Sequence, residues 1–212
     1  MALAQKKLET IFTIEEYLKY ERAADFRSEY IEGEIFAMAG ESDNHADISA
    51  NLVILLGSQL KGTPCRVRTK DTKVRSGEGI TKRYPPKNMF SYPDLVVICG
   101  EPKYHDEFRD IIVNPTVLIE VLSDSTEFFD RVDKFKRYQK WSLTIIDYIL
   151  VSQYETRIEH YNRQQDETWL LEIHENLSDE FLVESINCKV NLNDVYDRIA
   201  FKQSDSQMFD EE

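Results

Sequence analysis

The chain has 212 residues, 42% of them hydrophobic and 11% aromatic, and a formal net charge of −13. That length supports one sizeable core, so we expect a single domain over residues 1–203, followed by a polar, acidic and disordered tail over 204–212. No apolar run approaches the roughly 18–20 residues needed to span a bilayer. Residues 1–7 lack the apolar core of a signal peptide, so a cytoplasmic protein without a membrane partner is expected. Cys65, Cys99 and Cys188 lie far apart without metal-ligand spacing, and are expected to be reduced and mostly buried.

Net acidity argues against a nucleic-acid partner, but its distribution weakens that argument. Residues 164–212 hold 13 acids against 3 bases, whereas 61–87 reverse the balance, with nine bases against Asp71 and Glu78. Arg66, Arg68 and Lys73 of this segment are candidate DNA phosphate contacts. A solvated hairpin whose charges discourage edge pairing is the alternative.

Thr13-Ile14-Glu15-Glu16 is a capping box, and Tyr17, Leu18 and Ala24 give the helix behind it an apolar side. That helix should end near Phe26. Residues 29–38 read as a strand or hairpin bent at Gly33. Residues 39–44 are a turn able to cap a helix over 45–61, whose Ile48, Leu52, Leu55, Leu56 and Leu60 form one stripe. His45 opens that helix, where a lone histidine is ordinarily just a polar starting residue. Residues 65–71 alternate like a strand with one wet face, and 76–91 read as a loop.

Tyr92-Pro93-Asp94 then opens the apolar run 95–99, and a second run follows over 116–122. Both have the length and Val/Ile content of buried strands. Asp94 stands at the mouth of the first and Glu120 inside the second. An unpartnered buried carboxylate costs on the order of ~5 kcal/mol, so two of them together ask for a cation. Ser123-Asp124-Ser125-Thr126 leads into a helix carrying Asp130, Lys134 and Tyr138 on one face, with Phe128, Val132 and Phe135 as an apolar stripe beside it. Residues 147–151 and 157–161 read as two more strands, 169–173 as another, and 190–196 as the start of a short terminal helix. There is no internal repeat or linker.

In this order the chain resembles the PD-(D/E)xK, restriction-endonuclease-like superfamily, and within it the Uma-type endonuclease family. The resemblance rests on Glu29-Tyr30-Ile31-Glu32-Gly33-Glu34, His45, Asp71, Tyr92-Pro93-Asp94-Leu95, Ile119-Glu120-Val121-Leu122-Ser123, Ser125-Thr126, Asp130, Lys134, Tyr138 and Tyr148-Ile149-Leu150-Val151. It implies an α/β fold, a restriction-endonuclease-like core with a mixed β-sheet flanked by helices. It also implies a metal-dependent endonuclease acting on DNA, and it suggests a homodimer.

Asp94, Glu120 and the Val121 carbonyl would hold Mg²⁺ or Mn²⁺, which takes oxygen ligands and keeps several waters. Leu122 stands where the simplest motif has lysine. The resemblance instead implies a catalytic lysine from the following helix, Lys134, and a further acid from or just after the first helix, Glu29. His45, Asp130 and Tyr138 are accessory positions. A catalytically silent nuclease fold that binds nucleic acid or assembles with other proteins is the alternative.

Overall fold

The computed structural model describes residues 11–38, 40–78 and 87–201. Its first half contains α1 (Ile14–Ala23), β1 (Ser28–Ile31), β2 (Glu34–Ala37), α2 (Asp43–Leu60), β3 (Cys65–Thr69), β4 (Lys73–Gly77), β5 (Asn88–Ser91) and β6 (Leu95–Cys99). There follow β7 (Ile111–Ile112), β8 (Val117–Leu122), a π-helical segment (Phe129–Lys134) and α3 (Phe135–Trp141). The chain closes with β9 (Asp147–Ser152), β10 (Ile158–Arg163), β11 (Trp169–His174), β12 (Glu180–Val183), β13 (Cys188–Asn191) and α4 (Leu192–Val195).

Six strands form the central sheet in the order β11-β10-β9-β8-β6-β3. Only β8 and β9 run parallel, so the sheet is mixed, as expected. Side-chain alternation along β8 divides the molecule into two layers. Val117, Ile119 and Val121 point into the core covered by α2, through Ile48, Leu52, Leu56 and Leu60. Leu118 and Leu122 point the other way, against Phe135 and Tyr138 of α3. Glu120 shares the parity of this second face. A second sheet, β2-β1-β5-β4-β7, packs its Tyr30, Phe90 and Ile111 against Ile14, Tyr17 and Leu18 of α1.

The capping box forms with both reciprocal hydrogen bonds, but α1 stops at Ala23, earlier than Phe26. Its fourth buried position is Glu21 rather than Ala24. The hairpin bends at Glu32 and Gly33 with φ of 50° and 105°, the left-handed region that glycine tolerates best.

The loop expected over 76–91 is largely corrected: Ser76 and Gly77 end β4, and β5 is buried throughout. Residues 79–86, with their glycine and prolines, lie outside the described residues, as do Lys82, Arg83 and the acidic tail. A strand, β13, precedes the terminal helix, which is confined to Leu192–Val195. Cys65 and Cys99 face each other across β3 and β6 and are joined by a disulfide, so the expectation of three free thiols holds only for buried Cys188. Among the described residues no helix is long and apolar enough to cross a membrane.

Candidate active site

The antiparallel register of β6 on β8 pairs Leu95 with Ile119. One residue further on, the same register sets Asp94 opposite Glu120, on the face that α3 and the π-helical segment cover. Asp94 Oδ2 accepts a hydrogen bond from the Val121 backbone N–H at 2.7 Å, which fixes the carboxylate against the neighbouring strand. Pro93 suits the strand entrance because it lacks an N–H to pair.

Lys134 reaches this face from the π-helical segment. Its ammonium lies 2.9 Å from Asp130 Oδ1, 3.3 Å from Glu120 Oε1 and 3.3 Å from Glu29 Oε1. Glu29 arrives from β1, not from the first helix, and is anchored by the Tyr92 backbone N–H at 3.0 Å. Asp130 and Lys134 are both buried, so they are not an ordinary exposed helix pair. Tyr148 Oη donates to the Asp130 carbonyl at 3.0 Å, and Tyr138 Oη meets Ser91 Oγ at 2.7 Å. These bonds tie the segment to β9 and β5.

The apolar stripe of this segment differs from the expected one. Phe135 packs on Tyr148, but Phe128 is 74% exposed, and Phe129 takes the inward place. A π-helix bonds i to i+5, and its wider turn carries the residue seven places before Phe135 away from the sheet. Sequence spacing based on an α-helix could not anticipate that shift.

The electrostatics are asymmetric. Burial pushes the Glu120 carboxyl well above the usual carboxylate range; Lys134 counters this, while Asp130, Asp94 and Glu29 reinforce it. Desolvation acts to lower Lys134, but Glu120, Glu29 and Asp130 outweigh it and hold the ammonium well above its ordinary range. The two shifts agree: three acids share one ammonium, so the lysine is over-compensated and the acids are under-compensated.

His45 enters from the start of α2. Its Nε2 lies 3.3 Å from Asp94 Oδ2 and its Nδ1 3.1 Å from Glu41 Oε2. Burial acts to lower His45, and Asp94 followed by Glu41 overcomes this and raises it. Glu41 also pairs with Lys70. Glu41 and Lys70 were not foreseen as site residues; the i,i+4 spacing of Glu41 and His45 was the available signal. Gln153 was also missed. It binds the Leu122 carbonyl at 2.7 Å and Ser42 at the cap of α2, fastening that helix to the end of β8.

Glu29, His45, Asp94, Glu120, Asp130, Lys134 and Tyr138 thus converge. The three expected phosphate contacts do not join them. Arg66 is exposed on the sheet-edge strand β3, and Arg68 donates to Tyr104 Oη at 3.2 Å. Lys73 is buried, with its ammonium 3.6 Å from Glu21 Oε1 and held below its ordinary range by desolvation despite that acid. A buried lysine cannot serve as a surface phosphate contact, so that expectation is corrected. β4 turns Lys73 into the layer between α1 and β5 instead of outward.

A sequence model of the family described as "Uma2: Putative restriction endonuclease" matches residues 14–193. Among curated proteins, "Uncharacterized protein sll1609" of Synechocystis sp. is 35% identical over 161 residues, covering 76% of this chain and 86% of the relative. "Uncharacterized protein slr1290" of the same organism is 33% identical over 187 residues, covering 88% and 92%. A crystal structure titled as a putative nuclease belonging to DUF820 from Anabaena variabilis superposes with a TM-score of 0.68. It is 20% identical and covers 87% of this chain and 97% of that one, a likeness that shows the shared fold. The family model spans most of the chain and all seven convergent residues, and the chain belongs to the Uma2 family of restriction-endonuclease-like proteins.

Proposed function

We propose that this protein is an endonuclease that hydrolyses DNA phosphodiester bonds with the help of Mg²⁺ or Mn²⁺. The observation that carries the reading is the surplus of acid around Lys134. Glu29, Glu120 and Asp130 all lie within 3.3 Å of one ammonium, and Asp94 stands opposite Glu120. Among the described residues no group of three or more His, Cys, Asp or Glu side chains is arranged to enclose a metal ion. Mg²⁺ does not need such a cage, because it is commonly held by one or two carboxylates, waters and substrate phosphates. The donor set fits on its chemistry: hard carboxylate oxygens, with three acids sharing a single ammonium and so an excess of negative charge.

Asp94 and Glu120 would hold the ion, with the Val121 carbonyl as a third oxygen. When bound, it would neutralise phosphate charge and lower the pKa of a coordinated water. The residues of the chain supply the rest. Lys134 is kept charged by its acids, so it donates rather than accepts, orienting the attacking water and stabilising negative charge on the phosphate. Glu29 and Asp130 hold that amine in place. His45 restrains Asp94, and Tyr138 with Ser91 closes the floor beneath Lys134.

The competing reading is a fold that binds nucleic acid without cutting it, in keeping with Leu122 at the position where the simplest motif has lysine. Supercoiled and linear DNA incubated with Mg²⁺ or Mn²⁺ separates the two. Cleavage by the wild type, and its loss in Asp94→Ala with the fold intact, supports the enzyme. DNA binding without cleavage in either metal supports the module.

A further inference from the structure

The central sheet ends at β11, and among the described residues no strand covers its outer edge. The opposite edge, β3, carries Arg66 and Arg68, charges of the kind that discourage edge pairing. β11 has no such guard. It reads Trp169-Leu170-Leu171-Glu172-Ile173-His174, without lysine or proline, and pairs with β10 at six successive positions without a bulge. Leu170, Leu171 and Ile173 are 51%, 42% and 45% exposed.

The hydrogen-bond phase of the sheet shows which backbone groups are left over. Arg163 N donates to Ile146 O at 2.8 Å and Ser152 N to Arg157 O at 2.9 Å, so odd-numbered β10 residues face β9. Gln164 N donates to Thr168 O at 2.8 Å, so even-numbered residues face β11. Opposite them, Leu170, Glu172 and His174 turn their N–H and C=O inward. Trp169, Leu171 and Ile173 turn theirs outward, towards the open edge.

A second copy can add antiparallel through a twofold axis normal to the sheet. Such an axis keeps every side chain on its own face, so paired residues must share parity. Hydrogen bonds form where residues with outward backbone groups face one another, and the register centred on Leu171 is the one in which all three such residues of the strand find a partner within it. Centring on Leu171 uses all three: Leu171 meets Leu171 of the second copy, and Trp169 meets Ile173. Trp169, Leu171 and Ile173 then form one apolar ladder across the junction. Glu172, the only carboxylate of the strand, faces Leu170 instead of another Glu172, which matters for a chain of net charge −13.

We propose that β11 is a homodimer interface, in which two copies of this chain join their central sheets edge to edge in the register centred on Leu171. A junction carried by one short ladder sits at the low end of the ~1,200–2,000 Å² interface class, so the dimer should exchange with monomer in the micromolar range. This inference does not depend on the nuclease reading.

Sedimentation velocity of the full chain, from about one to several hundred micromolar, should show that equilibrium. Leu171→Lys should weaken association at least tenfold, with the melting temperature little changed. Leu171→Cys should cross-link to itself under mild oxidation, because hydrogen-bonded antiparallel pairs place Cα atoms ~5.5 Å apart, within disulfide reach. Ile173→Cys, facing Trp169, should not. Should Leu171→Lys fail to fold, the cysteine pair decides alone. A monomer at every concentration would overturn the proposal. So would a dimer indifferent to Leu171→Lys, or cross-linking at 173 in preference to 171.

Discussion

Lys134 and Glu120 are partners in one ion pair, yet their removal should change stability in opposite directions. Lys134→Met withdraws the ammonium that lies within 3.3 Å of the buried Glu120 and Asp130 and the half-buried Glu29. Deleting one partner of a buried pair typically costs about 3–5 kcal/mol, because the other charge stays buried. For a chain of this size each kcal/mol moves the melting point by roughly 2–4 °C, so a loss on the order of 10 °C is expected in metal-free buffer. Glu120→Gln removes one of the under-compensated acids and leaves an amide of similar shape, so the metal-free protein should gain about 1 kcal/mol. Differential scanning calorimetry with a chelator present measures both. If both variants lost stability equally, acid and lysine would be balanced, and the argument that this cluster calls for a cation would fail. Cleavage assays complete the comparison. Lys134→Met should lose roughly 10²–10³-fold in rate, the scale of one preorganised donor, while exposed Lys136→Met and Lys140→Met cut normally.

Three further outcomes follow from the same geometry. Saturating Mg²⁺ or Mn²⁺ at about 100 times its dissociation constant should stabilise the wild type by roughly 2.7 kcal/mol, and Asp94→Ala should abolish that rise in calorimetry. Charge reversal at exposed Arg66 should flatten the salt dependence of DNA binding by about one phosphate contact, whereas Lys73→Glu should unfold the protein; a folded Lys73→Glu protein with weakened binding would reverse our placement of that residue. Burial acts to raise Glu159, but hydrogen bonds from Arg131 and Arg157 outweigh it and hold the carboxyl below its ordinary range. The folded pKa is depressed, so this stabilisation is complete above the ordinary value of 4.5 and disappears as pH falls through the folded value. Glu159→Gln should flatten the acid limb of a stability–pH curve, and an unchanged limb would refute the assignment.

Much of this site was legible because buried strands are written plainly. Val and Ile runs beside Asp94 and around Glu120 marked the two strands, and the cost of burying a carboxylate marked both acids as site candidates, while the register that brings them together came from the fold. Lys134 was legible only through the family resemblance, since Leu122 fills the position where the simplest motif has lysine. What could not be read depended on tertiary context. Asn88-Met89-Phe90-Ser91 is short, half polar and adjoins a stretch rich in glycine and proline, yet it is a buried strand because β1 and β4 both pair with it. Lys73 looked like part of a basic surface because charge counting ignores the face on which a side chain falls. Its partner Glu21 lies 52 residues earlier, on α1. The Cys65–Cys99 pairing likewise depends on the β3–β6 register, which places the two Cα atoms opposite each other.

The geometry also sets an order in which an incoming phosphate would meet the site. Glu120, Asp130 and Lys134 are closed off from solvent, Asp94, Glu29 and His45 are each slightly exposed, and Glu41 and Lys70 stand at the rim. Lys70 binds Glu41, Glu41 binds His45, and His45 binds Asp94, so basic and acidic groups alternate from rim to carboxylate. An anion arriving from solvent would therefore reach Lys70 before any of the buried acids could repel it. To proceed further it must displace Glu41 from Lys70 and His45, and doing so loosens the histidine that restrains Asp94. Net negative charge over the whole molecule does not oppose this entry strongly. Screening at physiological ionic strength cuts off charges beyond about 8 Å, leaving the local alternation at the mouth to decide. On the proposed reading, the acidity of the chain and a phosphodiester substrate are in this way compatible, and Lys70 at the rim, rather than the arginines of the sheet edge, is the first positive group an entering phosphate would meet.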